Sequence, residues 1–324
     1  MKKNLKKIRH QIEWFLVKCI ELLAPIIPRS FIVSFSKLIG RLAFTFDTRG
    51  RVTGIANAKC AIDSGELTNC KPEQMIMKSY ELFSRGTIDL FWGRTLNKNN
   101  YSDFIQFEFE DTPAHENAVR QGAIWITPHY GNFEWLSLAM GFRGTPLTVI
   151  AQDFRNPLLT NIFRTARARS GHEVISSRKA VIKLLKTLKK GGNTALLTDL
   201  NVKPSRDAIP VECFSRITSI TRLHAFLHLK TGLPIIPAIA IPCSDGSYLM
   251  KILKPIELVT TSTEKQIAQK CWDVFEPFIN HFPAPWLWMY RHWRYKPNHN
   301  NNKCYPFYAE KSENFENWLR ENSS

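Results

Sequence analysis

The chain has 324 residues, 44% hydrophobic and 22% charged, which is ample for a substantial core and excludes a disordered polymer. Its 44 Lys and Arg against 28 Asp and Glu give a formal net charge of +16. This excess points to an anionic partner (nucleic acid, a membrane surface, a phosphorylated substrate or an acidic protein) without choosing among them.

Residues 1–51 hold eleven basic side chains (Lys2, Lys3, Lys6, Lys7, Arg9, Lys18, Arg29, Lys37, Arg41, Arg49, Arg51) against Glu13, Glu21 and Asp47, so half of the net charge lies there. The same segment is rich in large apolar residues, from Ile12, Trp14 and Phe15 to Phe31, Ile32 and Phe35. A basic, aromatic N-terminus suits an anionic membrane surface. A spanning helix needs about 20 uncharged apolar residues, and Glu13, Lys18, Glu21 and Arg29 interrupt this run, with Pro25 and Pro28 between. A signal peptide would need an unbroken apolar core. The expectation is helices lying on or dipping into a membrane, with an ordinary amphipathic core helix as the alternative.

Up to about Trp92 the texture is helical, through "RVTGIANAKCAI" and "PEQMIMKSYELFSRGTIDLFW". After Asn100, short apolar runs alternate with amphipathic ones. Strand "FIQFEF", helix "AHENAVRQG", strand "AIWIT", helix "FEWLSLAMG", strand "PLTVIAQ", helix "PLLTNIFRTARARSG", strand "EVIS", helix "RKAVIKLLKTLKKGG" and strand "NTALLTD" follow in order. Then come "AIPVECF", a helix over "ITSITRLHAFLHLKTG", strands "PIIPAIAIP" and "YLMKILKPI", and a helix near 263–281. Such alternation predicts an α/β fold with a mixed, largely parallel sheet flanked by helices. The expected organisation is basic amphipathic helices over 1–50, an α/β domain over 51–297 with a helical part at 51–92, and a polar linker and tail over 298–324.

Seven scattered cysteines (Cys19, Cys60, Cys70, Cys213, Cys243, Cys271, Cys304) include no CxxC. This argues for thiols in a reducing compartment and against a disulfide framework or a zinc ribbon.

The chemistry concentrates in "ITPHYGNFEW", residues 126–135. "AIWIT" reads as a buried strand ended by Pro128, which puts His129 at its carboxyl edge, where working residues collect in open α/β sheets. Were the stretch one helix, His129 and Glu134 would point roughly 140° apart. A strand, a tight turn through Gly131 and a helix bring them together as a base and its orienting carboxylate. The alternative from spacing alone is a surface histidine near a helix-capping glutamate. The chain contains no G-x-S-x-G elbow, so direct attack by an acceptor, without an acyl-enzyme, is the natural scheme.

"HYGNFE" resembles the H-x4-D/E motif of membrane glycerolipid acyltransferases, and its interior is similar to that of the lipid A late acyltransferases, the lauroyl and myristoyl transferase family. Further blocks agree in order: "RNPLLTNIFRTARARSG", "SRKAVIKLLKTLKKGG", "LTDLN", "VECFSRITSITRLHAFLHLKTGLPIIP" and "WLWMYRHWRYKP". The agreement runs from about Arg51 to Pro297. The chain departs at Leu200, where the family has Gln, at Ser215 for Gly, at the first threonines of 217–219 and at Tyr290 for His.

The resemblance implies acyl transfer from an acyl carrier protein thioester to a hydroxyl of a lipid A precursor, an anionic lipid acceptor, with no cofactor and no metal. It implies His129 as general base with Glu134 as its partner, a turn shaped by Gly131 and Asn132, and Arg155, Arg164 and Arg167 facing phosphate or carboxylate groups. Asp199 would meet acceptor polar groups or support the site. It implies the cytoplasmic face of a cell inner membrane, held peripherally or by the N-terminus, and no nucleic acid. An acyl-CoA donor, another glycolipid, lysophospholipid or aminolipid acceptor, and a non-catalytic anionic-lipid binder are the competing readings. Two further features are weaker. His224 and His228 share a helical face without a third metal ligand at telling spacing. The aromatic run Trp286, Trp288, Tyr290, Trp293 and Tyr295 suits base stacking, a membrane interface, core packing or the edge of a lipid groove.

Overall fold

A computed structural model describes residues 2–63, 65, 67, 71–151, 154–298 and 304–322, with side chains from Lys7 onward. Cys70 and most of the asparagine-rich 298–303 lie outside the described residues. Four helices open the chain: α1 (Lys2–Leu23), α2 (Arg29–Phe46), α3 (Thr48–Asp63) and α4 (Pro72–Trp92). Pro25 falls in a short 3₁₀ turn and Pro28 at the cap of α2, because proline lacks the N–H that a helix interior needs but fits at a helix start. α2 lies against α4 at a close backbone approach, where a Cβ at Gly40 would come within 2.4 Å of the Glu81 Cα.

The outward faces of α1 and α2 expose Ile12, Phe15, Leu16, Ile20, Phe31, Phe35, Leu38 and Leu42. Among the described residues no helix is long and apolar enough to cross a membrane.

The α/β layer follows with β1 (Ile105–Phe109), α5 (Thr112–Gln121), β2 (Ile124–Thr127), α6 (Phe133–Phe142), β3 (Leu147–Ala151), α7 (Pro157–Ala168), β4 (Glu173–Ser176), α8 (Ala180–Lys189) and β5 (Asn193–Leu197). β6 (Ala208–Cys213), β7 (Arg216–Thr221), α9 (Leu223–Thr231), β8 (Ile235–Pro242), β9 (Tyr248–Ile252), α10 (Glu264–Asp273), α11 (Glu276–His281) and α12 (Glu313–Glu321) complete it. The main sheet has the order β1-β9-β8-β2-β5-β3-β4. All its pairs are parallel except β8 with β9, as strand-helix alternation requires.

Side-chain alternation along the strands feeds two cores. Ile124, Ile126, Ile235 and Ile239 join α3, α8, α9 and α10 on one face, whereas Trp125, Ile236, Ala238 and Ala240 join α4, α5 and α6 on the other. A central parallel strand buried on both faces reads as a continuous apolar run for this reason.

Three expectations change. The helix expected over "ITSITRLHAFLHLKTG" begins only at Leu223; Arg216–Thr221 is β7, paired antiparallel with β6. Its β-branched Ile217, Thr218, Ile220 and Thr221 favour a pleated strand, and Phe214 and Ser215, both at positive φ (48° and 59°), make a tight hairpin turn. The single helix near 263–281 is two, since Pro277 can give no N–H to Asp273, where α10 ends. The C-terminal tail ends in α12, which docks Phe315 and Trp318 against Ala208. Among the aromatic alternatives, core packing holds for Trp286, Trp288 and Trp293, all fully buried.

Candidate active site

The parallel register of β2 with β5 sets Thr127 opposite Leu197. Two residues further, at the carboxyl ends of both strands, stand His129 and Asp199. The His129 Nδ1–H donates to Asp199 Oδ1 at 2.7 Å, and the His129 backbone N–H donates to Oδ2 at 2.9 Å. The Trp286 indole N–H donates to the same Oδ2 at 2.9 Å. A carboxylate only accepts, so these bonds fix the imidazole with its hydrogen on Nδ1 and its lone pair on Nε2.

Asp199 is fully buried. Burial pushes its carboxyl up, but the positive charge His129 carries when protonated and the hydrogen bonds it donates outweigh that and hold it below the usual value. The imidazole itself stays 15% exposed and sits edge-on to the Phe133 ring, with centroids 5.1 Å apart.

The turn from β2 into α6 is built as the sequence suggests. Gly131 has φ +58°, and a Cβ there would come within 1.8 Å of the Ala240 carbonyl oxygen, so neither the backbone nor the space admits another residue. Its N–H donates to Pro285 O at 3.0 Å. Asn132 caps α6, its Oδ1 accepting from Trp135 N at 2.9 Å.

The expected hydrogen bond between His129 and Glu134 is not formed. Asp199 takes that place, because the β2/β5 register delivers it level with His129, while α6 begins at Phe133 and directs the Glu134 side chain towards α7. There the Arg167 Nε and Nη2 clamp both Glu134 oxygens at 2.5 to 3.1 Å. Burial lowers the Arg167 guanidinium, but the Glu134 contact outweighs it and raises it. A small cavity beside this pair, about 20 Å³ between α4, α6 and α7 and lined by Leu90, Leu138, Glu134 and Arg167, has room for about one water and none for a hydrocarbon chain.

Of the other predicted residues, Arg155 and Arg164 are exposed, Arg155 just before the Asn156 cap of α7 and Arg164 on α7 itself. Of the three arginines, Arg167 is the one that reaches Glu134. His228 donates from Nδ1 to Leu233 O at 2.8 Å, and His224 is wholly buried. Among the described residues no group of three His, Cys, Asp or Glu side chains is arranged to hold a metal ion.

Three contributors were not singled out from the sequence as site residues. Trp286 orients Asp199. His292 stacks on Trp286, ring centroids 4.0 Å apart, and its Nε2–H donates to Leu287 O at 2.8 Å; burial pulls it down to about 4, leaving it neutral. Asp89 of α4 is completely buried, pairs with Arg29 of α2, and accepts from Tyr248 Oη at 2.6 Å and Asn132 Nδ2 at 3.2 Å. Trp286 and His292 lie in the closing aromatic segment, whose regularity was the available signal. Asp89 carried none, being one charge on an amphipathic helix.

A comparison with individually curated proteins returned no match. The family described as bacterial lipid A biosynthesis acyltransferase matches residues 1–295, a span that includes every side chain of the site. The chain therefore belongs to the bacterial lipid A biosynthesis acyltransferase family and is an acyltransferase.

Proposed function

We propose that the protein transfers a fatty acyl chain from an acyl carrier protein thioester to a hydroxyl of a lipid A precursor, with His129 as general base. The observation that carries this reading is the His129–Asp199 pair at the carboxyl ends of adjacent strands. Its Nε2 makes no hydrogen bond among the described residues and is the nitrogen left to take a proton. The acceptor oxygen attacks the thioester carbonyl as Nε2 removes its hydrogen. Asp199 stabilises the imidazolium that forms. The first N–H groups of α6, just past Asn132, are suited to the developing oxyanion. Collapse breaks the C–S bond, and the imidazolium returns the proton to the departing thiolate.

Glu134 with Arg167 braces the start of α6 beside this centre, and Arg155 and Arg164 extend the positive surface towards anionic acceptor groups. The exposed apolar faces of α1 and α2, joined to the basic excess of the first 51 residues, support a monotopic seat on the cytoplasmic face of the inner membrane. Asn156 at the start of α7 donates to His10 O of α1 at 2.9 Å, which would hold the membrane helix close to the arginine-bearing helix.

The test is His129→Ala assayed with acyl carrier protein and coenzyme A thioesters in parallel. Lost transfer with retained binding to anionic vesicles supports the scheme, and turnover surviving in the variant refutes it. A preference for the coenzyme A donor would overturn the donor alone.

A further inference from the structure

We propose that Cys60 and Cys304 are a disulfide-forming pair that locks the C-terminal segment onto α3. Their sulphurs lie 2.9 Å apart although the residues are 244 positions apart in sequence. A disulfide is about 2.05 Å long, so closure asks for less than about 1 Å of approach. The neighbouring backbone is already clamped. The buried Arg216 guanidinium donates to the Cys60 carbonyl, to the Cys304 carbonyl and, at 2.6 Å, to Phe214 O. One turn before Cys60, Asn57 donates to Trp288 O at 2.8 Å and Tyr290 O at 2.7 Å, and accepts from Tyr308 Oη at 2.5 Å. The two segments that a bridge would join therefore already frame the loop carrying Trp286, which holds Asp199. Cys304 lies beyond the residues matched by the family.

The two thiols differ in access. Cys304 is exposed and Cys60 is buried, and burial pushes the Cys60 thiol up, with the Cys304 contact adding to it. Exchange with glutathione disulfide thus starts at Cys304: its thiolate attacks one glutathione sulphur and releases the other glutathione as a thiolate. The Cys60 sulphur then attacks Cys304 in the mixed disulfide, its proton passing to the second departing glutathione. Two protein thiols are oxidised by two electrons, and one glutathione disulfide becomes two glutathione thiols. In a reducing compartment the pair rests as thiols and closes when the thiol pool is oxidised.

The full chain in detergent is equilibrated with glutathione buffers of rising oxidised fraction, alkylated, and digested without reduction for mass spectrometry. The expected result is a Cys60–Cys304 linked peptide, an intact mass lower by two hydrogens, and an unfolding temperature higher than that of oxidised Cys304→Ser. Cys304→Ser and Cys60→Ala each abolish the link, and the first, at an exposed position, leaves the reduced fold unchanged. Glutathione retained on Cys304 with Cys60 alkylated after denaturation overturns the proposal, as does either cysteine linked to a different partner.

Discussion

His129 and Asp199 stand level with each other, each two residues beyond the paired Thr127 and Leu197 of β2 and β5. Both Asp199 oxygens are engaged, Oδ1 by the imidazole and Oδ2 by the His129 backbone and the Trp286 indole. The pairing thus couples one backbone turn, one side chain and the closing aromatic segment through a single buried carboxylate. Such a carboxylate controls the tautomer of its histidine more than the affinity of any substrate.

Asp199→Asn is therefore expected to lower kcat by about 10²–10⁴ with KM little changed, since an amide can present its N–H to Nδ1 and turn the base around. Glu134→Gln leaves the Asp199 contact intact and should cost less. Steady-state kinetics of the two variants decide the matter: equal losses would make Glu134 the working partner in the loaded enzyme.

Asp89 ties α2 to the turn between β2 and α6, pairing with Arg29 while accepting from Asn132 and Tyr248. Removing one member of a buried pair leaves an uncompensated charge, a cost of about 3–5 kcal/mol. Arg29→Met should lower the unfolding temperature by thermal denaturation, and Asp89→Ala should do so too. In Asp89→Ala, activity measured below that temperature should also fall, because Asn132 loses the partner of its amide.

Gly131→Ala places a methyl against the Ala240 carbonyl in a left-handed backbone conformation. Destabilisation above about 1 kcal/mol is expected, together with loss of transfer. Denaturant unfolding and an acyl-transfer assay read the two effects separately.

His224 and His292 are fully buried and both fall to about 4 by burial, against an unfolded value near 6.5. The unfolded chain therefore binds the additional protons between about pH 6.5 and 4, and stability falls across that window as pH drops, by up to roughly 3 kcal/mol per histidine. Asp199, held below its usual value, adds its own loss only further down. Burial also lowers His172 and His115, so urea midpoints measured from pH 7 to 4 should show the decline, and His224→Leu should flatten part of it.

The exposed Phe31, Phe35 and Leu38 on α2 should govern vesicle binding. Each apolar side chain buried in the interface contributes about 1.5 kcal/mol, so replacing all three by serine should weaken partitioning into anionic vesicles by about three orders of magnitude. Co-sedimentation measures this, and an unchanged unfolding temperature separates it from misfolding.

Much of this was legible in the residues. The period-2 and helical patterns after Asn100 marked the layer order, because alternation is local and survives in one dimension. "HYGNFE" marked the turn, since Gly131 and Asn132 report on backbone geometry at their own positions. Residues 217–221 misled because five residues that run straight into a true helix show neither period clearly until a hairpin partner is present.

By itself, the sequence determined most of the elements, the turn and the place of His129 at the end of its strand, all properties of neighbours along the chain. The tertiary structure alone decided which carboxylate meets His129, why Asp89 lies beneath the turn and that Cys60 faces Cys304. Those depend on strand register and helix packing, which join residues 70, 43 and 244 positions apart, and no local pattern encodes such distances.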